Sequence, residues 1–293
     1  MKIAITGGTG FVGSHLANEL MERGNEVTAI SRNPDETKHP VDDEVELEKG
    51  DVTELESLKF EGYDVVVHLV ALSPLFKPPV PYEDVHVEGT RNVLEACDRD
   101  GVDELVHLSA LGVEEEGDTE YDRTKARAES LVKDSSLNWT VFKPSVIFGD
   151  GGEFVGFTKT LTTPVVTGLP GGGKTKFQPI WVEDVVDMVA DAVENREEYG
   201  GGTYEIAGPE ILTLKRITQM AYEADGKKTR ILPVPMAVAK IGLSIADGID
   251  AVPMGKDQYK SLKNDNVVER NDAAEFGYDE GSLTSIGGYL GVA

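Results

Sequence analysis

Apolar residues in this chain fall into short continuous runs separated by amphipathic stretches, and the alternation holds from residue 3 to residue 207. Residues 3–5, 26–30 (E-V-T-A-I), 45–49, 63–72 (Y-D-V-V-V-H-L-V-A-L), 102–108 and 203–207 read as strands, because short runs rich in valine and isoleucine suit strands buried on both faces. Between them, helical periodicity predicts helices over 14–23, 82–99, 121–133 and 183–194. Alternation of this kind predicts an α/β fold, a doubly wound parallel sheet with helices on both faces. Beyond residue 208 the regularity ends. A helix over 211–224 opens at Thr213, and the stretch 234–246 (V-P-M-A-V-A-K-I-G-L-S-I-A) is apolar around much of its circumference. It reads as a buried or lid helix, with Lys240, Asp247 and Asp250 confining any interface to its edge.

The turn after the first strand carries the chemistry. Residues 2–13 read K-I-A-I-T-G-G-T-G-F-V-G. Gly7 can take the backbone angles of a tight turn, Gly10 lets the main chain approach a pyrophosphate, and Gly13 lets the helix pack closely on the strand. Thr9, Phe11 and Val12 complete the stretch, and the N–H groups of the helix start face the phosphates. Glycines are common in turns, but a triplet placed after a strand and before a helix marks a dinucleotide site and a Rossmann-type sheet.

The end of the second strand refines the ligand. A fold that takes NAD usually offers an acid there to the ribose 2′-hydroxyl, whereas an arginine accommodates the 2′-phosphate of NADP. Ser31 and Arg32 stand at that end, and the guanidinium's fixed fork of donors suits a phosphate. The motif therefore favours NADP(H), with NAD(H) as the alternative. The plain alternative for Arg32 is a solvated turn residue helped by Asp35 and Glu36.

Composition removes other classes. With 53 acidic against 28 basic residues the formal charge is -25, which argues against a nucleic-acid partner. The acids are scattered, as on a solvated, halophile-like surface suited to a salt-rich cytoplasm. A single cysteine, Cys97, excludes an internal disulfide and fits a reducing compartment. No charged-then-apolar leader opens the chain and no apolar run reaches bilayer length, so a cytoplasmic location is expected. The five histidines are dispersed, and no metal cluster is expected.

Strand 102–108 delivers Ser109 to the sheet's carboxyl edge, where ligands bind in open α/β sheets. Tyr121 and Lys125 follow, one helical turn apart and on one face. For Tyr121 to exchange protons near neutrality its pKa must fall by ~3 units, ~4 kcal/mol, and a neighbouring ammonium can supply much of that. The spacing recurs at Tyr259 and Lys263 without a preceding strand or serine, and there it reads as coincidence.

Taken together, T-G-G-T-G-F-V-G, H-L-V-A-L, E-G-T-R-N-V-L-E-A-C, H-L-S-A-L, Y-D-R-T-K and F-K-P-S-V-I-F-G resemble the short-chain dehydrogenase/reductase superfamily. The likeness is to its extended and atypical branch, which includes sugar-nucleotide epimerases and the nucleotide-binding accessory subunit of respiratory complex I. The resemblance implies that Tyr121 is the acid/base residue, that Lys125 holds the nicotinamide ribose and biases the tyrosine, and that Ser109 hydrogen-bonds the substrate oxygen. It further implies that Asp51 and Val52 border the adenine, that Ala71 lines the cofactor, and that Pro144 and Ser145 lie beside the nicotinamide. Three positions depart from the usual pattern: His86 replaces an asparagine, Ala110 replaces a frequent second hydroxyl, and Trp181 stands where many relatives carry histidine. The expected function is hydride transfer to or from a carbonyl or alcohol of a small-molecule substrate. A non-catalytic NADPH-binding accessory protein and a sugar-nucleotide epimerase or dehydratase are the alternatives, and membrane or respiratory-complex association is not favoured.

Residues 168–175 (G-L-P-G-G-G-K-T) fit the P-loop template, with Lys174 and Thr175 at the right offsets. A true P-loop opens a helix; here Pro179 and β-formers follow, so ATP or GTP binding is not expected. The expected division is a Rossmann domain over 1–149 and 176–207, and a smaller substrate-side region over 150–175 and 208–293.

Overall fold

A computed structural model describes residues 1–160, 166–234, 256–261, 264–279 and 281–292. Residues 235–255 and Lys263 lie outside the described residues, so the expectations for the apolar stretch 234–246 and for Tyr259 with Lys263 are not addressed.

The first half is built as the hydrophobic pattern requires. β1 (Lys2–Thr6) leads into α1 (Phe11–Glu22), and β2 (Glu26–Ser31), β3 (Glu46–Lys49) and β4 (Val65–His68) follow. All four residues of β4 are buried, as a central strand covered on both faces demands. A π-helical stretch, Glu83–Glu88, runs into α2 (Gly89–Asp100), and then come β5 (Glu104–Leu108), α3 (Glu120–Lys133) and β6 (Asn138–Pro144). Short elements follow: β7 (Ile147–Phe148), α4 (Glu153–Thr160), β8 (Val166–Pro170), β9 (Lys176–Phe177) and β10 (Ile180–Trp181). Next are α5 (Val182–Glu194), α6 (Arg196–Tyr199), β11 (Thr203–Ile206), β12 (Leu212–Thr213), α7 (Leu214–Ala224) and β13 (Arg230–Val234).

Seven strands form one sheet in the order β11-β6-β5-β4-β1-β2-β3, all neighbours parallel. The chain order reverses between β1 and β4, which is the switch point where such sheets open a crevice at their carboxyl edge. One face of the sheet is closed by Leu16, Ala17 and Leu20 of α1 and by the apolar stripe of α5. The other is closed by Val93, Ala96 and Cys97 of α2 with Val132 of α3. A third, smaller core gathers Phe148, Phe154, Phe157, Leu169, Leu214 and Ile217.

Two local expectations hold. Thr213 caps α7, its hydroxyl accepting from the Arg216 N–H. The segment resembling a P-loop is β8, a turn with Gly171, Gly172 and Gly173 at positive φ, and then β9; no helix opens there.

Candidate cofactor and catalytic site

Every candidate cofactor group lies on the carboxyl side of the sheet. Gly7 sits at φ +77, a region only glycine enters without strain, and its N–H donates to Ile30 O at 2.9 Å. A Cβ on Gly13 would lie 2.1 Å from Gly7 O, so this position is closed to side chains by the backbone of the turn itself. Gly8, given no role by the sequence, is equally constrained: its Cβ would meet Ala29 of β2 at 2.6 Å. Gly10 differs. It is exposed, its φ of -78 suits any residue, and the nearest atom to an added Cβ is Gly7 O at 3.1 Å. That single contact is tight, and the position fronts the helix mouth, where the first-turn N–H groups have no intrahelical acceptor. Thr9, Phe11 and Val12 are half-buried around it.

The neighbouring strand ends continue the cleft. The Ser31 hydroxyl oxygen is buried without a partner, and Arg32 is exposed with no ion pair to Asp35, Glu36 or any other described residue. Beyond β3, the Asp51 carboxylate accepts from the Thr53 N–H and hydroxyl, closing a small turn, while Val52 is buried and its carbonyl accepts from Asn92. Ala71 is exposed just past β4.

Tyr121 and Lys125 are placed by the start of α3. Thr119 caps that helix in a reciprocal box with Asp122, which fixes Tyr121 in the first turn. Lys125, one turn on, is buried and donates one of its three N–H groups to Leu108 O at 2.7 Å. Burial lowers its pKa to about 8, opposed by the carboxylate of Glu129. The Tyr121 ring packs edge-on against Tyr82 and His86, at 5.8 and 5.5 Å between centroids. Loss of solvent, then Asp122 and Tyr82, push its phenol up from the ordinary tyrosine value. Lys125 is not among the groups that shift it, and the phenol holds its proton near neutrality.

His86 explains how the departure from asparagine is accommodated. Leu72 N–H donates to its Nε2 at 3.0 Å, so that nitrogen carries no proton. Nδ1 then carries it and donates to the Thr124 hydroxyl at 2.9 Å, which in turn donates to Glu120 O. Burial lowers the His86 pKa to about 2, with Lys125 as the next cause. A neutral ring of fixed tautomer thus ties the segment after Ala71 to the helix carrying Tyr121. The substitution at residue 86 was visible in the sequence; its partners were not.

Ser109, expected beside a substrate oxygen, is buried, and its hydroxyl donates to Glu129 Oε2 at 2.7 Å, inside a group that includes Lys133 and Lys143. Pro144 is buried at the end of β6, and Ser145 beside it binds Asn266, a residue to which the sequence assigned nothing.

These features match a known family over most of the chain. A model of the NAD dependent epimerase/dehydratase family fits residues 3–207. The chain belongs to that family. It is 25% identical over 291 residues to the mitochondrial NADH dehydrogenase (ubiquinone) 1 alpha subcomplex subunit 9 of Arabidopsis thaliana, covering 91% of this chain and 71% of that one. It is likewise 25% identical to the UDP-glucose 4-epimerase of Vibrio cholerae, over 82% of this chain and 80% of the relative. Among solved structures, the Thermus thermophilus UDP-glucose 4-epimerase in complex with NAD superposes with a TM-score of 0.66 at 25% identity, covering 80% and 86% of the two chains. A Staphylococcus aureus nucleoside-diphosphate-sugar epimerase superposes with a TM-score of 0.74 at 19% identity, over 99% of each chain, a likeness of fold.

The residues present fit a nicotinamide dinucleotide. The exposed backbone at Gly10, the unpartnered Ser31 hydroxyl, the exposed Ala71 and the remaining N–H groups of Lys125 all belong to the carboxyl side of the sheet. A cavity of about 410 Å³ ringed by Lys2, Glu26, Glu44, Glu46 and Tyr63 opens at the opposite, amino-terminal edge and has no part in this set. Among the described residues no cluster of three or more metal-binding side chains occurs, and no helix is long and apolar enough to cross a membrane.

Proposed function

We propose that this protein is an NADP-favouring oxidoreductase that reduces the carbonyl of a small-molecule substrate. The observation that carries this is the pair on one face of α3: a phenol that keeps its proton, Tyr121, one turn from a buried ammonium, Lys125. When bound, the reduced nicotinamide supplies a hydride. Tyr121 gives its phenolic proton to the substrate oxygen, which becomes a far stronger base than a phenolate as the carbonyl carbon is reduced. Lys125 holds the ribose and offsets the charge left on Tyr121. Tyr121→Phe is expected to abolish NADPH oxidation with aldehydes or ketones while leaving NADPH affinity, followed by nucleotide fluorescence, within about twofold. Full activity in that variant removes Tyr121 from the role.

NADP preference rests on Arg32, which has no ion pair among the described residues and stands beside an unpartnered Ser31 with no acid at that strand end. Arg32→Glu is expected to weaken NADPH by about thirtyfold, through loss of charge-assisted hydrogen bonds, and to leave NADH binding no weaker. Equal losses for both nucleotides would remove Arg32 from phosphate recognition.

A second reading has its own support. The Ser109 hydroxyl donates to Glu129, and the chain resembles a respiratory-complex subunit. An accessory protein that holds NADPH without turnover, and co-elutes with a partner, is the alternative. Cys97 is buried and its thiol pushed up to about 12, so it is inert, in keeping with the proposed cytoplasmic location.

A further inference from the structure

Past β5 and β6, open backbone groups of both chains are collected by one amide. Leu111 N–H still donates to Pro144 O at 2.9 Å. Beyond that, Asn266 Oδ1 accepts from the Ser145 hydroxyl at 2.7 Å and from the Val146 N–H at 3.0 Å, while its Nδ2 donates to Leu111 O at 3.3 Å. Its backbone is anchored on the other side, with Asn266 N donating to Lys176 O and Asn266 O accepting from the Gln178 N–H. The rigid planar amide therefore sets the separation between the turn after β5 and the turn after β6. The C-terminal segment that carries it continues along the same edge: Asn271 bonds both backbone groups of Ala207, and Asp272 accepts from the Glu205 N–H.

We propose that Asn266 is a positioning residue for the nicotinamide half of the site. It holds Pro144, Ser145 and Leu111 in the spacing that half requires, and so makes cofactor placement depend on the C-terminal segment. The proposal rests on the reading above, in which the dinucleotide lies along this edge with Pro144 and Ser145 at its nicotinamide end. The adenine half lies with Arg32 and Asp51, on strands three and more places away in the sheet order, and shares none of these bonds. A defect at Asn266 should separate the two halves.

The test compares binding of NADPH with binding of adenosine 2′,5′-bisphosphate, which carries the adenine half alone. Wild type, Asn266→Ala, Asn266→Asp and Ser145→Ala are titrated by calorimetry, with NADPH emission recorded in parallel. Asn266→Ala is expected to weaken NADPH by about tenfold and to reduce the change in nicotinamide emission, leaving the bisphosphate within about twofold. Asn266→Asp keeps both accepted bonds but sets a carboxylate oxygen against Leu111 O, and should likewise weaken NADPH while leaving the bisphosphate within about twofold. Should Asn266→Ala fail to fold, the Asp and Ser145→Ala variants carry the same comparison. Equal weakening of both ligands would assign Asn266 a general structural role, and no change in either would remove it; each overturns the proposal. If wild type binds neither nucleotide, the cofactor reading itself fails, an outcome distinct from any change in the ratio.

Discussion

Gly13→Ala is expected to break the turn, and Gly10→Ala to break only its function. The Gly13 methyl would stand 2.1 Å from Gly7 O and 2.8 Å from Gly8 Cα, all backbone, so the strain can be relieved only by moving α1 off β1. Overpacking of this kind costs about 2–3 kcal/mol, and the denaturant midpoint should fall accordingly while nucleotide binding is lost. The Gly10 methyl would meet one atom, Gly7 O at 3.1 Å, a tight contact that a shift of a few tenths of an ångström relieves on this exposed backbone of ordinary φ, so the fold should lose at most about 1 kcal/mol. It fills the space through which a pyrophosphate reaches the helix mouth, so NADPH affinity should drop by about a hundredfold. A Gly10→Ala protein that binds normally would show that no phosphate approaches there.

Acidification is expected to unfold this protein early. His68, His86 and His107 are all buried, and desolvation is the largest cause that holds each neutral, with folded pKa values of about 3 for His68, about 2 for His86 and well below the usual value for His107. On unfolding each ring regains a pKa near 6.5, so below that pH the unfolded chain binds about three more protons than the native one. Stability therefore falls as pH drops below 6.5, by about 1.4 kcal/mol per pH unit for each ring, or about 6 kcal/mol in total at pH 5. That is comparable to the whole stability of an ordinary domain. Asp122 and Asp184, whose carboxyls are raised by burial, act in the opposite sense at lower pH, but they are two groups with half-buried surroundings against three enclosed ones. The check is the urea midpoint at pH 7 and pH 5. His107 has neither ring nitrogen bonded, so His107→Leu should stabilise the fold at pH 7 and reduce the pH slope by about a third. An unchanged slope in that variant would mean that His107 is not neutral in the fold.

The three histidines also show how the site is wired. Thr6, His68 and His107 stand side by side across β1, β4 and β5, and His68 bonds Thr6 and Thr90. A cross-strand row of this kind comes from the register of three strands, each contributing one residue.

The sequence determined most of the central sheet, its main helices and the glycine-rich turn, because these are local. Valine-rich runs such as 65–67 suit buried strands, α5 declares its stripe by period, and Gly7 and Gly13 answer steric demands of the turn itself. The mixed pattern of Asn138–Pro144 hid β6, since polar Asn138, Thr140 and Lys143 interrupt its apolar residues. What only the tertiary structure decided is where each polar side chain finds its partner. Ser109 was placed at the right edge, yet its hydroxyl was taken by Glu129, 20 residues on. Tyr121 and Lys125 share a face as their spacing requires, but the enclosure around them, which pushes the phenol up, is contributed by Tyr82 and His86 from another segment. Asn266 reaches Ser145 across 121 residues. Hydrogen-bond partners and desolvation depend on contacts between distant segments, and a one-dimensional pattern records the period of a side chain but not its neighbour.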